Sequence, residues 1–392
     1  MGIFNKSNPI PAEILLQVIE NIPPLDQLSF LKVFPELALL VTSRHTTVQD
    51  QNNDTILHCL ATSEQYPTVN RLIKDLIPRK CINPNVANCK GETPLIYASA
   101  IGNEVMVKLL LERGDVCINA ETVQGPTALY YAVENRQEEI VRLLLEQPDI
   151  WVNSRMGWDE TVLMRAIRNN SPVVAGLLAR HPGLDQSYTD EWDGQTAFSI
   201  ACEFGNEEVV RILLARPDVD INSLSDTNKT PLHFASDTGQ KDIVRLLLSQ
   251  DGILPDQADV DGRTPLSYAV WNEEVMKLLL ARGDVVPDTA DNEGRTPLFW
   301  ATEMNYTRSL EVLLARTDVN VNFADDYGRT SLSYAAENGH KDTVELLLAH
   351  GAQPDLVDRD GKTPTAFAEE MNNHEIAALL SSKSAKSADG GT

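Results

Sequence analysis

The sequence is short of cations. Lys and Arg number 33 against 57 Asp and Glu, so its 392 residues carry a formal charge of −24. So acidic a chain repels nucleic-acid phosphates and anionic membranes, and favours basic partners. Cysteine is scarce too. Cys59, Cys81, Cys89, Cys117 and Cys202 are odd in number and include no C-x-x-C pair, which argues against a disulfide framework or a structural zinc site. Free thiols fit a reducing cytoplasmic or nuclear compartment. No apolar run approaches the roughly 18–20 residues that a membrane-spanning helix needs. Residues 1–6 lack the apolar core of a signal peptide, and Ser7 stands one position too late for a myristoylation motif. Phosphate loops, H-E-x-x-H, G-x-S-x-G and kinase signatures are missing. His58 and Cys59 are neighbours, but adjacent residues of a helix point to different faces. The expectation is a chain with no enzymatic activity, no cofactor and no metal.

What the chain has is a repeat. With hydrophobic residues at 42% and charged residues at 23%, it has the composition of a folded protein. A threonine signature recurs at Thr55, Thr93, Thr127, Thr161, Thr196, Thr230, Thr264, Thr296, Thr330 and Thr363, at intervals of 32 to 38 residues. Proline follows it at Pro94, Pro231, Pro265, Pro297 and Pro364. Threonine caps free N–H groups at a helix start, and proline fits the first turn, where its missing donor costs nothing. Alanine stands five residues after each Thr from Ala98 to Ala368, small enough for close helix approach. Aliphatic runs such as Val210 to Leu214 then mark one apolar face of a second helix, buried only by stacking on neighbours. Two residues before the Thr stands Gly91, Gly125, Gly194, Gly262, Gly294, Gly328 or Gly361, or Asn53 or Asn228, all tolerant of positive φ.

These residues resemble the ankyrin repeat. Thr230-Pro231-Leu232-His233-Phe234-Ala235 matches the T-P-L-H-x-A phrase at every fixed position. The resemblance implies an all-α solenoid of paired antiparallel helices with hairpin loops, used for binding proteins. The family histidine recurs only at His58, the seventh unit is two residues short near Trp271-Asn272-Glu273, and the fourth has Asp159 in place of glycine beside Trp158. A tightened helix turn and a distorted hairpin are therefore expected.

Residues 10–48 lack the repeat but are too apolar for a linker. Helical spacing over Glu13 to Ile22, Leu25 to Phe34 and Glu36 to Arg44 predicts three short helices, broken by Pro23-Pro24 and Pro35. Ile10-Pro11-Ala12-Glu13-Ile14-Leu15, followed by Leu28 and Leu31, resembles the start of an F-box, although the later basic-Trp phrase is missing. With the repeats, the chain resembles fungal-type F-box/ankyrin proteins. The resemblance implies docking on a Skp1-like adaptor of a ubiquitin ligase through Ile10, Pro11, Glu13, Ile14, Leu15, Leu28 and Leu31. The repeats would then select the target. The alternative is an ankyrin scaffold without a ubiquitin link, whose N-terminal helices only cap the first repeat. The expected layout is a flexible stretch 1–9, an F-box-like module 10–48, about ten ankyrin repeats over 49–380, and a disordered tail 381–392.

Candidate binding residues come from one register. Seven residues after the Thr stand Glu134, Glu203, Asp237, Trp271, Glu303, Glu337 and Glu370, with Ala100 and Arg168 also in the row. This predicts an acidic ladder on the concave face, complementary to a basic target, unless the acids serve only solubility. Against it, the residue before the Thr is basic in the last five units: Lys229, Arg263, Arg295, Arg329 and Lys362. Trp158, Trp192 and Tyr327 fall in hairpin tips as candidate interface anchors. The aromatics that precede the alanine, such as Tyr268 and Trp300, read as packing between repeats.

Overall fold

The computed structural model describes residues 17–33, 41, 48–62, 67–156 and 160–389. They form two units, Met1–Glu191 and Trp192–Thr392. Among the described residues the architecture is helical, with one pair of two-residue strands.

In the first unit, a helix at Pro24–Val33 packs against the first repeat, whose helices span Ile56–Thr62 and Pro67–Leu76. Ile19, Leu28 and Leu31 are buried there, and buried Gln27 donates to the carbonyls of Ile19 and Ile22 at 2.8 and 3.2 Å. The amide thereby ties residues 17–22 to the helix. Leu28 and Leu31, expected on an adaptor surface, are buried, on a helix that packs against the first repeat. An apolar periodicity marks a buried face without saying what buries it. The other adaptor-binding residues, Ile10 to Leu15, and most of the third expected helix lie outside the described residues.

The repeats follow: Pro94–Ile101 with Glu104–Leu111, Ala128–Glu134 with Glu138–Leu145, and Val162–Arg168 with Pro172–Ala179. Thr93, Thr127 and Thr161 cap the first helix of each, accepting from the backbone N–H three residues on. The fourth hairpin departs from the rest. Arg155–Met156 pairs antiparallel with Glu160–Thr161, around residues 157–159 that lie outside the description.

In the second unit the pairs are Ala197–Glu203 with Glu207–Leu214, Pro231–Asp237 with Lys241–Leu248, and Pro265–Tyr268 with Glu273–Leu280. Pro297–Glu303 with Thr307–Leu314, Ser331–Glu337 with Lys341–Ala349, and Pro364–Glu370 with His374–Asp389 complete it. Thr264 and Thr330 occupy the cap position without a side-chain cap bond, unlike Thr196, Thr230, Thr296 and Thr363. In the seventh repeat a 3-10 turn, Ala269–Trp271, runs directly into the second helix, which is how two residues are dispensed with. Every signature alanine from Ala98 to Ala368 is fully buried, as are Leu110, Leu144, Leu213, Leu247, Leu279, Leu313 and Leu347 of the second helices. The tail is not disordered from residue 381. Ala, Ser and Lys extend the last helix to Asp389, and Ser382 donates back to Leu379 at 2.7 Å.

Hairpins are joined by a side-chain ladder. In the first unit Asn119 donates its amide to the carbonyl of Asp149 at 2.7 Å and accepts from the N–H of Trp151 at 2.9 Å. Asn85 and Asn153 do the same with residues 115 and 117 and with 183 and 185. In the second unit Asn222 and Asn322 repeat the pattern. One amide thus satisfies a carbonyl and an N–H that the loop backbone leaves unpaired.

Candidate protein-interaction surface

In the second unit the first helices carry two registers side by side. The basic residue before each Thr lies over an aromatic ring, usually one on the following repeat. The Lys229 ammonium lies 4.4 Å from the Tyr268 ring, and the Arg263 guanidinium lies 4.4 Å from Trp300. Arg295 lies 4.5 Å from Trp300, and Arg329 lies between Tyr334 at 3.7 Å and Phe367 at 4.1 Å. Cations and rings alternate through this unit, each contact contributing about 0.5–1 kcal/mol where it is exposed and more where it is dry. The hydroxyls of Tyr268 and Tyr334 donate to Asp259 and Asp325 at 2.7 Å. Burial and these carboxylates push both phenols above their ordinary range. The aromatics therefore pack between repeats as expected, and the basic register is what they pack against.

The acidic register is divided. Glu203 and Asp237 make no ion pair among the described residues, and Asp237 is exposed. Glu303 is half-buried, with Oε2 shielded from solvent and without a hydrogen-bond partner. Glu337 is bound by Arg329, and Glu370 by Lys362 at 2.8 Å. The expected uniform ladder is thus neutralised at its C-terminal end by the basic register of the same repeats. Trp271 stands in the row 45% exposed, its Nε1 donating to the carbonyl of Asp237 at 2.8 Å. Its ring lies against Gly239, where an added Cβ would come within 2.5 Å of it. An indole so held loses little freedom when a partner covers it. Trp192 and Tyr327 are 68% and 61% exposed at their hairpins, and Trp158 lies outside the described residues.

In the first unit the same row is internally paired. Glu134 takes a two-point bond from Arg165 at 2.5 and 2.7 Å. Arg165 also reaches Glu160 at 3.7 Å, Arg168 bonds Glu160 at 2.9 Å, and Arg168 binds Asp190, whose side chain is 1% exposed. Glu134 is therefore a structural charge and not a free contact, and the guanidinium holds its carboxyl below the ordinary range. Sequence reasoning missed a groove of about 1000 Å³ on the loop side of this unit, lined by Trp151, Arg155, His181 and Tyr188. Trp151 is 55% exposed, and Arg155 lies 4.1 Å over Tyr188. The available signal was a tryptophan in a loop register that elsewhere carries Cys117 and Asp185.

His58 and His233 are accounted for by structure. His233 Nδ1 accepts from the Thr230 N–H at 3.0 Å, so its Nε2 carries the proton and donates to the Arg263 carbonyl at 3.1 Å. His58 does the same with Thr55 and Glu92. Burial lowers both, His233 to about 4. Burial also pushes the Cys59 thiol up to about 11, the opposite of an activated nucleophile. Among the described residues no cluster of His, Cys, Asp and Glu could hold a metal, and no helix is long and apolar enough to cross a membrane.

A family model for ankyrin repeats in three copies matches residues 33–119, 57–156, 163–259, 251–325 and 317–389. No curated protein matches the chain. The matched segments cover well over half of the sequence and coincide with the capped helix pairs, so the chain belongs to the ankyrin-repeat family.

Proposed function

We propose that this chain is a non-catalytic scaffold that binds a basic protein segment along Glu203, Asp237, Trp271 and Glu303, with Trp192 and Tyr327 as flanking anchors. Ankyrin repeats carry a protein-interaction role. The observation that supports this surface is Trp271, a half-exposed indole fixed by a hydrogen bond within a row of acids, Glu203, Asp237 and Glu303, that lack internal cations. Aromatic anchors supply most of the energy at interfaces, and unpaired acids steer a basic partner toward them. Reversing Glu203, Asp237 and Glu303 to Lys should abolish capture of the partner while leaving the fold intact. Glu337 is left out because its reversal would break the pair with Arg329. Normal binding by the triple variant would reduce the acids to solvation.

A ubiquitin-ligase receptor is the second reading. It rests on the F-box-like phrase from Ile10 to Leu15 and on the helix at Pro24–Val33, where the phrase calls for one. A Skp1-like adaptor would bind the N-terminal module, residues 10–48, and the repeats would present the target. Because Leu28 and Leu31 are buried, docking would fall to residues 10–15. The assay is co-purification of adaptor and cullin with wild type and with Pro11 and Ile14 changed to Ala. If wild type retains no adaptor, the N-terminal helices serve as a cap alone.

A further inference from the structure

The hairpin ladder of the second unit has two members of the wrong chemistry. Asn222 donates to the Gly252 carbonyl and accepts from the Leu254 N–H, and Asn322 does so with Gly351 and Gln353. The two positions between them in the register hold Asp256 and Asp288. Each keeps half of the pattern. Asp256 Oδ2 accepts from the Val286 N–H, and Asp288 Oδ2 from the Asn320 N–H, both at 2.7 Å. The other half fails, because Oδ1 of each is buried without a hydrogen-bond partner. In every amide rung the carbonyl lies two residues before the N–H, so the register sets Oδ1 against the carbonyls of Asp284 and Asp318. A carboxylate and a carbonyl are both acceptors, and only a proton on the acid turns the contact into a bond.

We infer that Asp256 and Asp288 are acid-closed latches: each takes up a proton as pH falls and donates it to the carbonyl that an asparagine would bond. The hairpins of the seventh, eighth and ninth repeats are then fully laced in mild acid, and two rungs lose one bond each toward neutrality. The seventh repeat also carries Trp271 of the proposed binding surface. The inference does not depend on that surface being correct.

The charges around the latches act in the same direction. Burial raises the carboxyl of Asp256 and the nearby Asp284 raises it further, opposed by the Val286 N–H. Burial and Asp318 do the same to Asp288, opposed by the Asn320 N–H. Arg282 and Arg316 bind Asp284 and Asp318 through two hydrogen bonds each, so neither guanidinium is released to neutralise a latch. A carboxyl raised on folding contributes stability that is complete below its unfolded pKa of about 4 and lost as pH rises through the folded value.

The test uses the full chain with Asp256 and Asp288 both changed to Asn, beside wild type. Exposed Asp251→Asn serves as a control that removes a charge without touching the ladder. The urea midpoint of the double variant should exceed that of wild type at pH 8, and the excess should shrink as pH is lowered to 4.5. The control should track wild type throughout. Carboxyl carbon resonances of Asp256 and Asp288 should titrate above the ordinary value of about 4. Asn322→Asp should install the same pH dependence one rung further on. An excess that is absent, or equal at every pH, overturns the proposal, as does titration of both carboxyls at or below the ordinary value.

Discussion

The two units solve one problem differently. Each must place charged residues on the first-helix face of closely stacked repeats. In the unit before Trp192 the charges pair with one another: Glu134, Arg165, Glu160, Arg168 and Asp190 form a chain of alternating sign, and its innermost carboxylates are nearly dry. In the unit that follows, the cations lie on aromatic rings and several acids are left over. A buried ion chain fixes geometry but cannot offer its charge to a partner. Cations resting on rings stabilise the stack and leave carboxylates free. The difference places the unpaired carboxylates in the second unit and the dry ion chain in the fourth repeat.

The largest test of this contrast is Arg168→Ala. It removes the cation that binds both Glu160 and Asp190, whose side chains are nearly dry, and breaking a buried pair costs about 3–5 kcal/mol. Denaturant unfolding should show that loss. In the second unit, Arg329→Gln should cost only about 0.5–2 kcal/mol, because it removes two ring contacts and an ion pair whose acid, Glu337, keeps some contact with solvent. Equal losses for the two variants would erase the distinction.

Leu279→Ala and Leu144→Ala sharpen the comparison from the opposite side. Both leucines are fully buried in second helices, and each should cost about 2–5 kcal/mol through the cavity left behind. Hydrophobic stacking should be alike where polar organisation differs. A cost below about 1 kcal/mol at either site would mean that its helix is not packed as described.

His233 gives the second unit an acid-sensitive step that runs against the aspartate latches. Its folded value is lowered to about 4, whereas the unfolded chain binds a proton near 6.5. The stability it contributes is complete above pH 6.5 and falls as pH drops toward 4, by up to about 3 kcal/mol. His233→Gln should flatten that part of the stability profile. The smallest effect belongs to Thr264→Val, since Thr264 makes no cap bond and its hydroxyl is buried without a partner. It should be nearly neutral, whereas Thr230→Val should lose about 0.5–2 kcal/mol with its cap.

What was legible in the sequence was local. Threonine caps, proline at the first turn, and glycine or asparagine at positive φ are decided by a residue and its near neighbours. Gly262 and Asn228 accordingly stand at φ of 81 and 57°. The charge pairing was less legible because it depends on the register between repeats. Lys229 could be seen as basic, but not as lying over Tyr268 some forty positions on. Leu28 and Leu31 could be seen as apolar, but not as buried on a helix that packs on its own first repeat. Asp256 and Asp288 pass in sequence for ordinary surface acids, and only their places among paired asparagines make them conspicuous.

The 3-10 turn of the seventh repeat shows how length and pitch trade against each other. Losing two residues from an α-helix removes roughly 3 Å of travel. Three residues rewound to a rise of roughly 2.0 Å, in place of 1.5 Å, recover about half of it. The remainder is absorbed where the turn at Trp271 passes straight into Glu273 without an intervening loop. Thr264, Ala269 and Leu279 therefore keep the places that Thr230, Ala235 and Leu247 hold one repeat earlier. A deletion at a helix junction thus behaves as a phase correction confined to one period. Insertions or deletions there should be tolerated more readily than changes of equal size inside the Val-to-Leu runs, where a shift would rotate the apolar face out of the stack.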